Sequence, residues 1–535
     1  MLRLGGTTCR HPPTAHQALV AMAREIVYAE RTMVDGFSPS TATSGRDSKA
    51  ILEWLALAHG RTGAGDAEEL AHQLLLLRQS STPTGQRTKL LDLLHRHAER
   101  IVYGELPELR EITLPVARKL RQRVGAIQEC LETLAQEYLD TLSEFLDPRN
   151  SAAPRTTLNS LVRAMQCVAW HIRISNLLAA PSGAGIWQQL HAVYRTARRL
   201  GLADAAGPQG EPSIQRTYVN VLLGAIAQPA SFCPAELQFI ADYIDQCVKP
   251  VDVLESPPMD RSGVFWVDME RDFPAFALSR RQAPSDTRAL YFACDIVARD
   301  TRAQLAALTR KVSAASLGLP DFADTPAGRG VLRRLSLLWG SPAARRFPRR
   351  RQSYRVNLCA GLQPLWELIR HPEQGGSISE WMVTNESPDG YALMHMSGQT
   401  FHLRVGDLVA IQPTGERAER EPQWHVGIVR WAISENPEHI EIGIQQLAPH
   451  AIAAEVIRPP EDEAGNLSAL ILPEMPPMRM LPALVTATGQ LDEQGGSLIL
   501  LVERDNIGIR EVRPTALTEQ TSSIEIFSVV PDERL

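Results

Sequence analysis

The sequence predicts a multidomain α + β chain: a helical N-terminal region, then a six-stranded antiparallel β-barrel, then a second small β-rich unit. Three observations carry this. At 535 residues the chain is longer than one hydrophobic core sustains, so about two to four domains are expected. From residue 88 to about residue 250, apolar residues recur at steps of three and four, the spacing of one helix face. After Gly340-Ser341-Pro342 the pattern changes to short alternating runs punctuated by Gly and Pro, as in strands and tight turns. The expected divisions are 1–48, a flexible segment with one helix; 49–340, mainly helical; 341–458, the barrel with its arginine-rich lead; and 459–535, the C-terminal β-rich unit.

In chain order, residues 1–15 lack periodicity and are expected to be disordered. Arg3 and Arg10 are followed by no apolar stretch, which argues against a secretory leader. One helix is expected at 16–34, a linker at 36–45, and helices at 50–59 and 67–77 before the break at 80–85. The strongest helical pattern is 116–146, where Leu120, Val124, Ile127, Leu131, Leu134, Tyr138, Leu142 and Phe145 form one stripe ended by Asp147-Pro148. Such a stripe suits a packed bundle helix or the coiled-coil seam of a homodimer, and spacing does not separate the two. Further helices are expected at 157–178, 185–199, 213–226 and 234–248, with Ser213 as a cap and Pro234 in a first turn. Ser256-Pro257-Pro258 breaks the pattern, and 263–268 and 275–278 read as short strands. Helices follow at 286–311, capped by Ser285, and at 328–339.

Beyond Pro342 come six arginines in eleven residues, Arg345, Arg346, Arg349, Arg350, Arg351 and Arg355. The first barrel strand is expected to start at 356–358, with a short helix at 362–370 inserted after it. Strands are expected at 381–384, 391–394, 408–412, 424–433 and 440–447, which suits a small closed barrel. A linker at 459–465 precedes strands at 469–472, 484–487, 497–502, 507–512 and 524–529.

Composition narrows the function. A formal net charge of −6 argues against general nucleic-acid binding. Seven scattered cysteines without a C-x-x-C pair fit reduced cytosolic thiols better than a disulfide frame or a zinc site. No run of eighteen apolar residues exists, so no membrane span and a cytoplasmic protein are expected. His95-x-His97 reads as part of a surface helix, and Gly60-Arg-Thr-Gly-Ala-Gly65 lacks the Lys-Ser/Thr of a phosphate loop. No nucleophile stands with an evident base, so neither an enzyme nor a cofactor or metal is expected.

The chemistry concentrates in Arg349-Arg350-Arg351-Gln352-Ser353-Tyr354-Arg355 and Asn385-Glu386-Ser387-Pro388-Asp389-Gly390. A guanidinium is planar, always charged, and its fork of donors matches phosphate oxygens and the O6/N7 edge of guanine. Asn and Ser add short donors and acceptors, and a glycine lets backbone approach closely. Together these residues describe a pocket for an anionic guanine nucleotide. By themselves the arginines also suit a solvated basic linker or a phosphate-backbone patch, and Asn385 and Ser387 suit ordinary turn chemistry. Tyr354 and Trp431 read as barrel core or rim rather than stacking platforms.

Arg351-x-x-x-Arg355 followed by Asn385-x-Ser387-x-x-Gly390 resembles the RxxxR and (D/N)xSxxG pair of PilZ domains, the bacterial receptors for cyclic di-GMP. Gly406-Asp407-Leu408-Val409, 426–431 and Glu441-Ile442-Gly443-Ile444 resemble later strands of the same barrel, and the resemblance covers roughly residues 345–455. It implies a PilZ-like six-stranded barrel in which Arg351 and Arg355 grip phosphate and guanine, Asn385 and Ser387 read a guanine edge, and Gly390 keeps backbone clear. It makes Arg350 an additional contact and favours two stacked ligand molecules. The expected protein is a receptor that couples cyclic di-GMP to reorientation of a helical output region, which would contact a protein partner. The rivals are a nucleotide-free adaptor in surface motility or pilus assembly, an enzyme regulated by the barrel, and an RNA-binding protein.

Overall fold

A computed structural model of the chain describes residues 44–58, 65–145, 154–284, 288–340, 347–372, 377–400, 402–415, 423–436, 438–458, 465–491, 496–503 and 507–532. The expected helix at 16–34, most of the 36–45 linker, the Asp147-Pro148 stop and the Ser285 cap lie outside them. Among the described residues there are eleven α-helices, the last of them short, and sixteen strands. The chain divides into two compact units.

The first unit gathers residues up to Glu105 with Gln122–Ile172 and Gly185–Tyr218. Its helices are α1 (Ser44–Leu57), α2 (Asp66–Gln79), α3 (Thr84–Arg110), α4 (Arg118–Phe145), α5 (Pro154–Leu177) and α6 (Ile186–Arg199), and α7 (Ile214–Ile226) begins there. Ser213 caps α7 as expected, its Oγ accepting the Arg216 N–H at 3.1 Å. The apolar stripe of α4 is buried inside the single chain from Val124 through Leu142. That separates the two readings left open by spacing: α4 is a packed helix, not an exposed seam. Glu137 is buried beside it, held by Arg87 and by Arg78 at 3.5 Å. His95 and His97 correct the sequence reading, since they are 0% and 1% exposed rather than on a surface helix. Two residues apart on a helix, they leave it on nearly opposite sides. His95 meets Tyr138 and Trp170, and His97 meets Trp54.

The second unit contains residues 106–121, 173–184 and 219–535. Its first sheet has the order β1-β4-β2-β3, from β1 (Val253–Leu254), β2 (Val264–Asp268), β3 (Phe276–Ala277) and β4 (Ala289–Ala293). Strand β4 falls where the sequence reading placed the start of a helix. Leu290 and Phe292 point inward with a period of two, and Phe292 pairs with Phe265. Helix α9 (Asp295–Thr309) begins only after Cys294. It packs on α10 (Pro326–Gly340), and Tyr243 of α8 (Pro234–Cys247) reaches Thr301 at 2.9 Å.

Two closed barrels follow. The first has the order β10-β7-β6-β5-β8-β9, from β5 (Arg350–Ala360), β6 (Ile378–Ser387), β7 (Gly390–Ser397), β8 (Leu408–Pro413), β9 (His425–Asn436) and β10 (His439–Ala448). The second has the order β11-β12-β13-β16-β15-β14, from β11 (Ile452–Val456), β12 (Leu467–Leu472), β13 (Ala483–Ala487), β14 (Leu498–Glu503), β15 (Ile507–Gln520) and β16 (Ile524–Pro531). Strand β11 opens the second barrel ahead of the boundary expected at 459. The inserted helix, α11 (Leu362–Arg370), is present and lies between the barrels. Its Leu365 and Leu368 share one apolar cluster with Leu408 and Ile428 of the first barrel and Leu470 and Val485 of the second. Trp366 donates to the Ala454 carbonyl at 2.8 Å, and Arg370 pairs with Glu455 at 2.5 Å. Each buried leucine contributes about 1.5–3 kcal/mol, so the two barrels are welded rather than strung together.

Candidate functional site

Strand β5 starts at Arg350, six residues before the expected 356, and this puts both motifs on one sheet surface. Arg350 lies opposite Glu386, and Arg351 lies opposite Asn385. The sheet is irregular here, because Thr384 of β6 is an extra residue between the pairs Val383–Leu393 and Asn385–Ala392. Such a bulge reverses the side-chain alternation. Val383 stays in the core, while Asn385 turns to the outer face with Arg351.

The outer face then continues in register. Asn385 is opposite Ala392, Ala392 opposite Gly443, and Gly443 opposite Trp431. The row Arg351, Asn385, Ala392, Gly443, Trp431 crosses five strands, about 19 Å along the curved surface at 4.8 Å per step. Its middle is made of the two smallest residues, and a β-carbon at Gly443 would overlap the Trp431 indole nitrogen. The indole therefore lies over the strand as a flat floor, with cation and amide at the far end. Trp431 is half-buried over Gly443 and lines the cleft, so of the two places expected for it, core or rim, it is not core; the signal for this was a glycine in the strand facing it.

The remaining motif residues are placed as follows. Arg350 and Arg351 are exposed. Arg355 is also on the surface, but Glu380 holds it at 2.9 Å, and Ser397 bonds the other Glu380 oxygen at 3.1 Å. The Arg355 hydrogen bond, with Ser397, keeps the Glu380 carboxyl below its usual value. Ser387 and Gly390 close the β6–β7 hairpin, and the Ser387 hydroxyl is engaged by the Asp389 carboxylate at 2.6 Å and the Gly390 carbonyl at 3.1 Å. Gly390 is required by the protein's own backbone, because a β-carbon there would overlap the Ile444 carbonyl oxygen.

Where the row ends at Trp431, a cleft of about 960 Å³ opens, near the upper end of small-molecule sites. None of the six predicted residues lines it; their neighbours Arg349 and Asp389 do, with Trp431, Gln445 and Gln446. Arg349 was visible in the arginine run, whereas Gln445 and Gln446 carry no sequence signal. Four arginines against two carboxylates give the walls a net positive charge. Among the described residues no cluster of three or more His, Cys, Asp or Glu could hold a metal, and no helix is long and apolar enough to cross a membrane. Burial pushes the thiols up, Cys130 and Cys233 to about 12 and Cys359 to about 11, so they are poor nucleophiles.

Two family models match the chain. Residues 49–257 match the N-terminal domain of the cyclic-di-GMP receptor FimW, and residues 371–452 match its middle PilZ domain. The second match includes Asn385, Ser387 and Gly390 but stops short of the arginines, which lie on β5 of the same barrel. A curated relative, the cyclic-di-GMP receptor FimW of Pseudomonas aeruginosa, is 30% identical over 119 residues. That alignment spans 22% of this chain and 18% of the relative, about a fifth of each.

Proposed function

We propose that the chain, which carries a PilZ domain, is a receptor for cyclic di-GMP. The observation that carries the reading is the register of β5 and β6, which sets Arg351 directly across from Asn385 on the outer face of the barrel. Arg350, Arg351 and Arg355 supply forked cations for phosphate and guanine, and Asn385 supplies the amide for a base edge. Ser387 and Gly390 shape the turn that presents Asp389. The matched families and the relative are receptors, and the receptor reading for this chain rests on that kinship together with the site.

We further propose that binding is coupled to the helical region. Strand β9 carries Trp431 at the cleft and, three residues on, Ser434. The Arg121 guanidinium donates to the Ser434 carbonyl at 3.0 Å and hydroxyl at 2.9 Å, and the Ser434 N–H donates to Ala179 O at 2.9 Å. One strand thus touches both the cleft and the segments through which the chain enters and leaves the helices. A ligand shifts such a linkage only if it binds one arrangement better.

Calorimetry on the full chain tests the receptor reading. Cyclic di-GMP binds, GTP and cyclic GMP do not compete at equal concentration, and Arg351→Ala weakens binding by about 2–5 kcal/mol. Wild-type affinity in that variant would falsify the assigned site. Small-angle scattering at saturating ligand tests the coupling; superimposable profiles with and without cyclic di-GMP would remove it.

A further inference from the structure

The cleft has walls that the PilZ motifs do not reach. Met475, Met478 and Arg479 line it from the connection between β12 and β13 of the C-terminal barrel. That connection holds its own shape: the Met475 N–H bonds Arg479 O at 2.8 Å, and the Arg479 N–H bonds Met475 O at 2.9 Å. The Arg479 guanidinium is tethered at one end to the Pro473 carbonyl. Its Nε–H, shielded from solvent, has no hydrogen-bond partner among the described residues. A shielded charged donor without an acceptor is costly, which makes it a point where an anion gains most.

The other cations of the cleft are not equivalent. Arg430 is already committed, its Nε to Gln445 at 2.7 Å and a terminal nitrogen to Glu519 at 2.6 Å. This ties the two barrels together and leaves Arg349 from the first and Arg479 from the second as cations with no ion pair among the described residues. Two guanidiniums on separate barrels, with an indole and two thioethers lining the space they share, match a ligand that carries two phosphates and two purine faces.

We propose that loop 473–479 of the C-terminal barrel completes the nucleotide site: Arg479 takes a phosphate or guanine edge, Met475 and Met478 pack on a purine face, and the ligand bridges both barrels. This rests on the cyclic di-GMP reading above and extends it to a part of the chain without the RxxxR or NxSxxG pattern.

The test is calorimetry with cyclic di-GMP on the full chain as wild type, Arg351→Ala, Arg479→Gln and Arg513→Gln, the last an exposed β15 residue outside the cleft. Arg479→Gln weakens binding roughly tenfold or more, and Arg513→Gln leaves it unchanged. In parallel, the wild-type chain is treated with phenylglyoxal with and without ligand, and modification of Arg479 is read by peptide mass; ligand protects it. Should Arg479→Gln lose its thermal unfolding transition, protection in the wild-type chain decides alone. Loss of binding in Arg351→Ala, with Arg479 dispensable and equally reactive with ligand present, overturns this proposal and leaves the receptor reading standing. No binding heat and no protection of any arginine in the wild type overturns both.

Discussion

Arg355 is not a free cation waiting for a nucleotide, since Glu380 already holds it. A ligand that recruits Arg355 must displace that carboxylate, which sets an opposing term of its own. Glu380→Gln is therefore expected to tighten cyclic di-GMP binding a few-fold at neutral pH. The proton linkage has a definite sign. Arg355 keeps the Glu380 carboxyl below its usual value, and transfer of Arg355 to the ligand lets it return upward. The complex then binds more protons than the free protein between those two values, so affinity rises as pH falls through that window and is level above it. Calorimetry from neutral pH down into the carboxylate range checks this, and Glu380→Gln should flatten the profile. At this scale the sequence was partly legible. Arg351 and Asn385, singled out by type and spacing, do lie opposite each other, but the Glu380 clamp on Arg355 and the turn bonds of Ser387 are long-range or rotameric facts that spacing does not encode.

Elements were read well wherever periodicity was clean. Most helices between 66 and 340 and most strands of both barrels fall within a few residues of expectation, because helix and strand faces repeat at different periods, but β11 was not anticipated and β15 runs eight residues past its expected end. Two of the departures share one reason. Strand β4 runs almost directly into α9, and β5 extends into a charged segment; in both, paired neighbours rather than residue type decide the conformation. The Thr384 bulge was invisible in the sequence, yet it decides which face Asn385 joins. The row it creates makes a prediction at this scale. Gly443→Ala displaces the Trp431 indole and is expected to weaken ligand binding by about 1–3 kcal/mol, the worth of one base–aromatic stack. Unchanged affinity in that variant, with the barrel folded by circular dichroism, would show that the indole carries none of the binding.

At the scale of the whole second unit, the barrels behave as one body. They share an apolar cluster through α11, the Arg430–Glu519 pair, and the Thr521 hydroxyl on the Gly406 carbonyl at 3.0 Å. A chain ended at residue 458 strips α11 and Leu447 of their cover and is expected to aggregate, as size-exclusion chromatography would reveal. A monodisperse, ligand-binding fragment would show that the first barrel stands alone. The inter-barrel tie is also acid-sensitive. Burial opposes the Glu519 charge, but Arg430 and Arg334 together hold its carboxyl below the usual value. Its stabilisation is therefore present above the unfolded carboxylate value and is lost as pH falls through the lower folded one. The sequence announced two β-units but not their fusion, because nothing in the 362–370 helix says which two surfaces its apolar stripe will cover.

Gly443 has one more consequence, on the scale of descent. Every possible replacement at that position is bulkier, so a single missense change there lifts the indole, whose atoms are the nearest neighbours of the added carbon. A lineage could in this way fall deaf to the messenger and still inherit an intact barrel, and sequences carrying a side chain at that point are the ones in which to look for such silence.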